Sequence, residues 1–357
     1  MLGMSLNISI TKSSQPRPRV ASKELGFGKY FADHMFTMEC DHGVWKNPKI
    51  TPYGAFHLEP GAAVLHYGQA LFEGMKAFRG KNGKVRLFRP AIHAKRMQEG
   101  AARLCMPPVT EKDFLDAVTA IVKLDESWVP EEHGCALYIR PTLIGTESFL
   151  GVRPSEKYLF FIICSPVGAY YAEGFAPVKI WVEKEYVRAA NGGLGAIKAA
   201  ANYAASMLAT VAAKKKGCSQ VLWLDAGEHR YVEEVGTMNV FFRINDEIIT
   251  PPLEGTILGG ATRDSVLQIL REWNLNVVER KISLDEIEAA QKAGTLKEIF
   301  GTGTAAVISP VGELLNQNMH IVVNGGKVGD LTQRLFNELT AIQYGDKPDT
   351  RGWICEL

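Results

Sequence analysis

What the sequence lacks narrows its chemistry first. Its six cysteines, Cys40, Cys105, Cys135, Cys164, Cys218 and Cys355, share no repeated spacing and form no C-x-x-C pair. That argues against a disulfide scaffold or a thiolate zinc site and fits a reducing, cytoplasmic compartment. The eight histidines include no H-E-x-x-H or similar spacing, so no metal is expected. No apolar run reaches the ~20 residues of a membrane helix. A formal net charge of +1 provides no electrostatic footprint for a nucleic acid or a membrane surface. The Gly-Lys-Ser/Thr of a Walker A loop is missing, and so is the G-x-S-x-G elbow of one hydrolase class. One absence is local. No Asp or Glu occurs between Glu185 and Asp225, yet Lys198 sits inside that stretch, in "GGLGAIKAAANYAAS".

What is present fits a globular chain that acts on small molecules. With 357 residues, 46% hydrophobic and 22% charged, it is large enough for two domains. The basic segment 1–24 is expected to be a flexible tail. Residues 25–164 mix strands such as "KVRLFRP" and "KYLFFIICSP" with helical periodicity in "AIHAKRMQEGAARL" and "EKDFLDAVTAIVKLDESW". Residues 165–179, rich in Gly, Pro and aromatics, are expected to connect this domain to a second one spanning 180–357. There "KAAANYAASMLATVAAKKKG" reads as a helix opened by the lysine and ended at Gly217. Asn245-Asp246 predicts a hairpin turn, and "ATRDSVLQILREW" and "SLDEIEAAQKAG" predict helices. The whole is an α/β chain.

Three features carry chemistry. Burial disfavours the charged form of an amine, and a neutral Lys198 is a nucleophile that can form a Schiff base with a carbonyl. Its other reading is a helix lysine that extends its stem to solvent. Glu233 and Glu234 are neighbours on a strand, which sends one carboxylate inward and the other to water. Thr237 and Asn239 share the parity of Glu233. In "GTILGGATRDSVLQIL" two glycines precede a helix start, which suits an anion, although Thr262 also reads as a simple N-cap. The turn in "FGTGTAAV" offers a comparable hydroxyl. A Schiff-base lysine, an inward acid and two phosphate cradles together match one cofactor, pyridoxal 5′-phosphate.

These residues, with "FADHM", "LHYGQALFEGMKAFRG", "RLFRPAIHAKRM", "ALYIRPTLIGTE", "SPVGAYY", "EVGTMN", "TPPLEGTILGGATR", "FGTGTAAVISPV" and "IQYG", resemble the branched-chain amino-acid aminotransferases. Those are fold-type IV pyridoxal phosphate enzymes, and the match runs from about Gly26 to Gly345. The resemblance implies a small N-terminal α/β domain and a larger C-terminal pseudo-barrel β domain with helices. It implies a homodimer and reversible ping-pong transfer between leucine, isoleucine or valine and 2-oxoglutarate. Lys198 is then the Schiff-base and proton-shuttling residue, Glu234 the partner of the ring nitrogen, and Tyr203 that of the ring hydroxyl. Arg96, Thr304 and the N–H groups of Ala261 and Thr262 are implied to hold the phosphate. Phe27, Tyr67, Phe72, Tyr138 and Tyr170 are implied to surround the substrate side chain. Thr237 and Ala305 are implied to receive its α-carboxylate, and Arg140 the distal carboxylate of glutamate.

The chain departs from that family at Ala200-Ala201, Leu194 and Gly259, which touch cofactor affinity and substrate range rather than a reacting group. Ala306 and Ser309 stand where some mammalian members carry a redox C-x-x-C pair. A D-amino-acid aminotransferase or an aminodeoxychorismate lyase shares the lysine and the glutamate, and an amino-donor screen separates them. A binding module that retains the cofactor without turnover is disfavoured by the complete substrate side, Tyr67 through Arg140.

Overall fold

The computed structural model describes residues 6–168 and 175–357. They divide into two compact units. The first comprises residues 6–168, Ile197–Ala201 and Ala341–Leu357, and the second residues 175–196 and Asn202–Thr340. The last two segments of the first unit lie in the stretch that sequence order alone placed in the second domain. Contacts made by a chain returning to an earlier sheet leave no boundary signal in composition.

The first unit is built on nine strands. Its centre is the antiparallel pair Ala136–Gly145 and Lys157–Val167, in unbroken register from Ala136↔Val167 to Gly145↔Tyr158. Met75–Arg79, Val85–Phe88 and Ile354–Glu356 follow on one side, and His34–Asp41, Val44–Pro52 and Ser9–Ile10 on the other. The short strand Ala70–Phe72 also pairs with Ala136–Gly145. Alternation then sorts the side chains. Leu137 and Ile139 join Phe36, Met38, Phe160 and Ile162 in an apolar cluster. The helices Pro90–Arg103 and Glu111–Leu124 supply Met97, Ala101, Phe114, Val118 and Ile121 to the same cluster. Tyr138 and Arg140, of the opposite parity, face the other side of the sheet.

The segment from Leu6 to Glu24 is not a loose tail. Ser9–Ile10 adds a parallel strand to Val44–Pro52. The Arg17 N–H donates to Asp33 at 2.7 Å, and the Arg19 guanidinium lies 3.7 Å from the centre of the Trp128 ring. Arg19, which looks solvated in the sequence, has a buried carboxylate and an indole face as partners.

The second unit also holds nine strands. Their order is Val232–Val235, Gln220–Leu224, Val178–Val182, Val307–Leu315, Leu296–Gly303, Asn239–Ile244, Glu247–Thr250 and Asn276–Glu279, with His320–Val322 paired to Val307–Leu315. The Asn245-Asp246 turn forms as expected, with Asn245 at φ 51°. Helices Ala261–Glu272 and Leu284–Lys292 match the periodic segments, and Ser283 caps the latter by accepting from Glu286 N–H. Gly217, at φ 75°, follows the end of the helix Ala200–Lys215. The expected connection 165–179 is shorter at both ends, since one strand runs through Val167 and the next begins at Val178.

Candidate active site

Lys198 precedes its helix rather than opening it, because the helix begins at Ala200. Its carbonyl accepts from Phe72 N–H at 3.2 Å, and Ala199 forms a bridge with Leu71. The lysine is thereby stitched to the strand Ala70–Phe72, and its ammonium lies 4.7 Å from the centre of the Phe72 ring. Solvent touches part of the side chain, yet protein surrounds the amine deeply enough to matter. Desolvation is the largest influence and lowers its pKa to about 8, with Arg96 and Arg140 pushing the same way and Tyr138 and Glu73 opposing. The sequence offered no local anion. The fold brings one from Glu73.

Glu73 belongs to a buried cluster of which the sequence marked Arg96 alone. Its carboxylate accepts from Arg96 Nε at 2.7 Å and Nη2 at 2.6 Å, and pairs with His93 Nδ1 at 2.8 Å. His93 and Arg96, three apart on one helix, share a face. Burial alone would raise the Glu73 pKa, but Arg96 and His93 hold it well below the carboxylate range. Burial lowers the His93 pKa despite that carboxylate. Arg96 is therefore a fixed cation whose charge is matched by a buried acid.

Tyr138 stands opposite Lys76 on one neighbouring strand and Ser165 on the other, so the three form a row on one sheet face. Arg140 joins the row through Nη2, which donates to the Tyr138 hydroxyl at 3.0 Å. The Arg140 guanidinium also lies 4.5 Å from the Phe72 ring centre, and Phe27 meets Tyr138 edge-on at 5.0 Å. A Cβ at Gly74 would fall 1.8 Å from the Tyr138 hydroxyl oxygen, so only glycine admits that approach. Arg140 Nε and Ser165 Oγ are buried with no partner among the described residues, as a site for a polar ligand group requires. Lys76 is a second buried amine, which desolvation brings to about 8. Tyr67 does not join this group. It is exposed, and its hydroxyl donates to the Leu150 carbonyl. Tyr170 lies outside the described residues.

In the second unit the expectation of one inward and one wet glutamate fails. Glu233 and Glu234 are both buried, at 6% and 3% exposure. Both faces of the strand Val232–Val235 are covered, so alternation changes what each acid meets without returning either to water. Glu234 Oε1 accepts from Leu258 N–H at 2.9 Å and lies 3.2 Å from Arg188 Nη2. The strand also stops sooner than its polar parity suggested. It turns at Gly236 and Thr237, with Val235 and Met238 paired across the turn, which leaves Thr237 exposed.

Thr262 is not an N-cap, because Gly260 holds that position without a side-chain cap and Thr262 is buried inside the first turn. A Cβ at Gly260 would meet Asn239 Oδ1 at 2.1 Å, while Asn239 Nδ2 donates to the Leu258 carbonyl at 2.8 Å. Asn239 thus fixes the approach to the Ala261–Glu272 helix. Thr304 and Ala305 are half-buried in the turn between Leu296–Gly303 and Val307–Leu315. Tyr203 is half-buried on the helix after Lys198.

The chain thus carries an amine of low pKa, a buried carboxylate held by a cation, and a glycine-led helix start. That donor set fits pyridoxal phosphate. Among the described residues no group of His, Cys, Asp and Glu could hold a metal ion. The six cysteines are free, with Cys40, Cys135, Cys164 and Cys218 buried and Cys105 and Cys355 exposed. Mild peroxide is accordingly expected to cause no activity loss that dithiothreitol reverses. Recovery by the reductant would reveal a thiol pair assembled by the fold.

A family model for amino-transferase class IV matches residues 70–314. The chain is 48% identical over 359 residues to branched-chain-amino-acid aminotransferase 2 of Bacillus subtilis (strain 168), covering 100% of this chain and 98% of that protein. The crystal structure of the Escherichia coli branched-chain amino acid aminotransferase matches with a TM-score of 0.75 at 25% identity, covering 90% of this chain and 98% of that one. A branched-chain amino acid aminotransferase from T.th., solved with pyridoxamine 5′-phosphate, gives a TM-score of 0.73 at 25% identity, covering 89% of this chain and 97% of that one. The mixed architecture of two sheets is that of the fold-type IV aminotransferases.

Proposed function

The chain belongs to the class IV aminotransferase family, and we propose on that premise that it exchanges amino groups between branched-chain L-amino acids and 2-oxoglutarate. The observation that carries the reading is Lys198, an amine brought to about 8 by its surroundings, beside Phe72. Pyridoxal 5′-phosphate, when bound, supplies an electron sink for the charge that develops at the substrate Cα. Everything else falls to the residues of the chain. Lys198 would bind the cofactor and then move the proton at Cα. Glu234 would keep the ring nitrogen protonated, and Tyr203 would hold the ring hydroxyl. Arg96, Thr304 and the first-turn N–H groups of Ala261 and Thr262 would hold the phosphate. Thr237 and Ala305 take the α-carboxylate through main-chain donors. The exchange runs in two half-reactions, one for each amino acid.

Leucine needs only apolar walls, and Phe27, Phe72 and Tyr138 provide them, with Tyr170 as a further candidate. Burying an aliphatic side chain contributes ~1.5–3 kcal/mol. Glutamate brings a carboxylate that is costly to bury unpaired. Arg140, stacked on Phe72 and tied to the Tyr138 hydroxyl, can meet that charge with a forked contact. Arg140→Ala is expected to slow the glutamate half-reaction by about tenfold or more while the leucine half-reaction stays within about threefold. Stopped-flow half-reactions with each amino acid decide this. Equal losses on both sides would make Arg140 a structural ion-pair residue instead.

A homodimer suits the outward face of the helix Ala200–Lys215, where Met207, Leu208 and Val211 are 62%, 61% and 51% exposed. Large apolar side chains grouped on one helix face favour a protein partner. No described helix is long and apolar enough to cross a membrane, and a cytoplasmic setting accords with that and with six free cysteines.

A further inference from the structure

Two glutamates in sequence, both buried, pose an electrostatic problem that the reaction does not explain. In a low-dielectric interior, two adjacent carboxylates cannot both stay ionised without compensation. The structure supplies one guanidinium, and it lies beside Glu234. Arg188 has a side chain only 9% exposed and is fixed by Nη2, which donates to the carbonyls of Gly195, at 3.2 Å, and Thr256. The same nitrogen lies 3.2 Å from Glu234 Oε1, the oxygen that also accepts from Leu258 N–H.

Glu233 is treated differently. It makes no ion pair with Arg188, and its Oε2 is buried without a hydrogen-bond partner among the described residues. Desolvation raises its pKa most, Thr256 and Arg188 oppose that rise, and Glu234 and Asp225 add to it. The environments of the two acids are therefore pushed apart. Glu234 has a cation and a backbone donor against its carboxylate, whereas burial raises the pKa of Glu233.

We propose that Arg188 is a positioning residue, which fixes the single negative charge of this buried pair on Glu234 rather than on Glu233. The proposal rests on the reading of Glu234 as the partner of the cofactor ring nitrogen. A carboxylate that carries the charge permanently can hold a ring N–H, whereas one that shares its charge with a neighbour cannot. Gly195 is part of the device, since a Cβ there would meet the Thr256 carbonyl oxygen at 2.2 Å and prevent that carbonyl and its own from converging on Arg188.

The sign of the effect is fixed. Removing the cation raises the pKa of Glu234, so the carboxylate is lost at a higher pH as the solution is acidified. The experiment measures the dissociation constant of pyridoxal 5′-phosphate from the full chain by tryptophan quenching between pH 5.5 and 8.5. Wild type, Arg188→Gln, Arg188→Lys, Glu233→Gln and the Arg188→Gln/Glu233→Gln double variant are compared. Arg188→Gln is expected to match wild type within about threefold at pH 8.5 and to bind about tenfold more weakly near pH 6, as its acid limb moves up by about one unit. Arg188→Lys keeps the charge and should hold the limb near the wild-type position. The double variant should move it back down, because the competing acid is gone.

A uniform loss at every pH in Arg188→Gln, or a Glu233→Gln limb displaced as far as that of Arg188→Gln, overturns the assignment. If Arg188→Gln does not fold, Arg188→Lys decides: weak binding at all pH values marks a purely structural role. Wild-type protein that binds no cofactor at any pH refutes the underlying function together with the proposal.

Discussion

Lys198→Ala protein is expected to bind pyridoxal 5′-phosphate only reversibly and to show no measurable amino transfer. Loss of a positioned proton carrier alone costs about 10²–10⁴-fold, and the loss of covalent attachment adds to that. The geometry explains why this lysine is suited to the task. At a pKa of about 8, roughly a tenth of the amine is neutral at pH 7, against about one in a few thousand for an ordinary lysine. Capture of the cofactor by the wild-type chain should accordingly quicken as the pH rises through about 8. Lys76 is the instructive control, since burial gives it a similar pKa. Borohydride reduction followed by peptide mass spectrometry should place the cofactor on Lys198 and leave Lys76 unlabelled. Label on Lys76 in the wild type, or normal turnover in Lys198→Ala, would transfer the role.

Glu234→Gln is expected to lower the transamination rate about ten- to a hundredfold, as for removal of a charge-assisted contact worth ~1.5–3 kcal/mol in a closed site. Glu233→Gln should stay within about threefold, because Glu233 makes no ion pair with Arg188 and burial already disfavours its charged form. Burial does not separate the two residues, since both are almost fully enclosed. Their partners do. Leu258 N–H and Arg188 converge on Glu234, whereas Glu233 Oε2 has no hydrogen-bond partner among the described residues. Rates for both variants under saturating leucine and 2-oxoglutarate make the comparison, and equal losses would show that the charge is not confined to Glu234.

The parts legible in the sequence are those that local physics determines. The helices Pro90–Arg103, Glu111–Leu124, Ala261–Glu272 and Leu284–Lys292 follow from apolar periodicity, and the Asn245-Asp246 hairpin from turn chemistry. Lys198 stood out because an amine among small apolar residues is electrostatically unusual. The missing parts depend on long-range pairing. Arg96 meets Glu73 across 23 positions and Arg188 meets Glu234 across 46, and no window of sequence joins either pair. The burial of Glu233, the exposure of Tyr67 and the strapped segment from Leu6 to Glu24 likewise depend on what the rest of the fold lays against them. Parity along a strand tells which residues share a face, not whether that face is covered.

The central claim is that this chain moves amino groups through a cofactor held on Lys198, with branched-chain amino acids as donors. The most direct test is the visible absorption spectrum of the purified protein saturated with pyridoxal 5′-phosphate, recorded before and after leucine and again after 2-oxoglutarate. The expected result is a yellow protein that leucine bleaches and 2-oxoglutarate restores, with no such cycle in Lys198→Ala. A spectrum that leucine, isoleucine and valine all leave unchanged would contradict it.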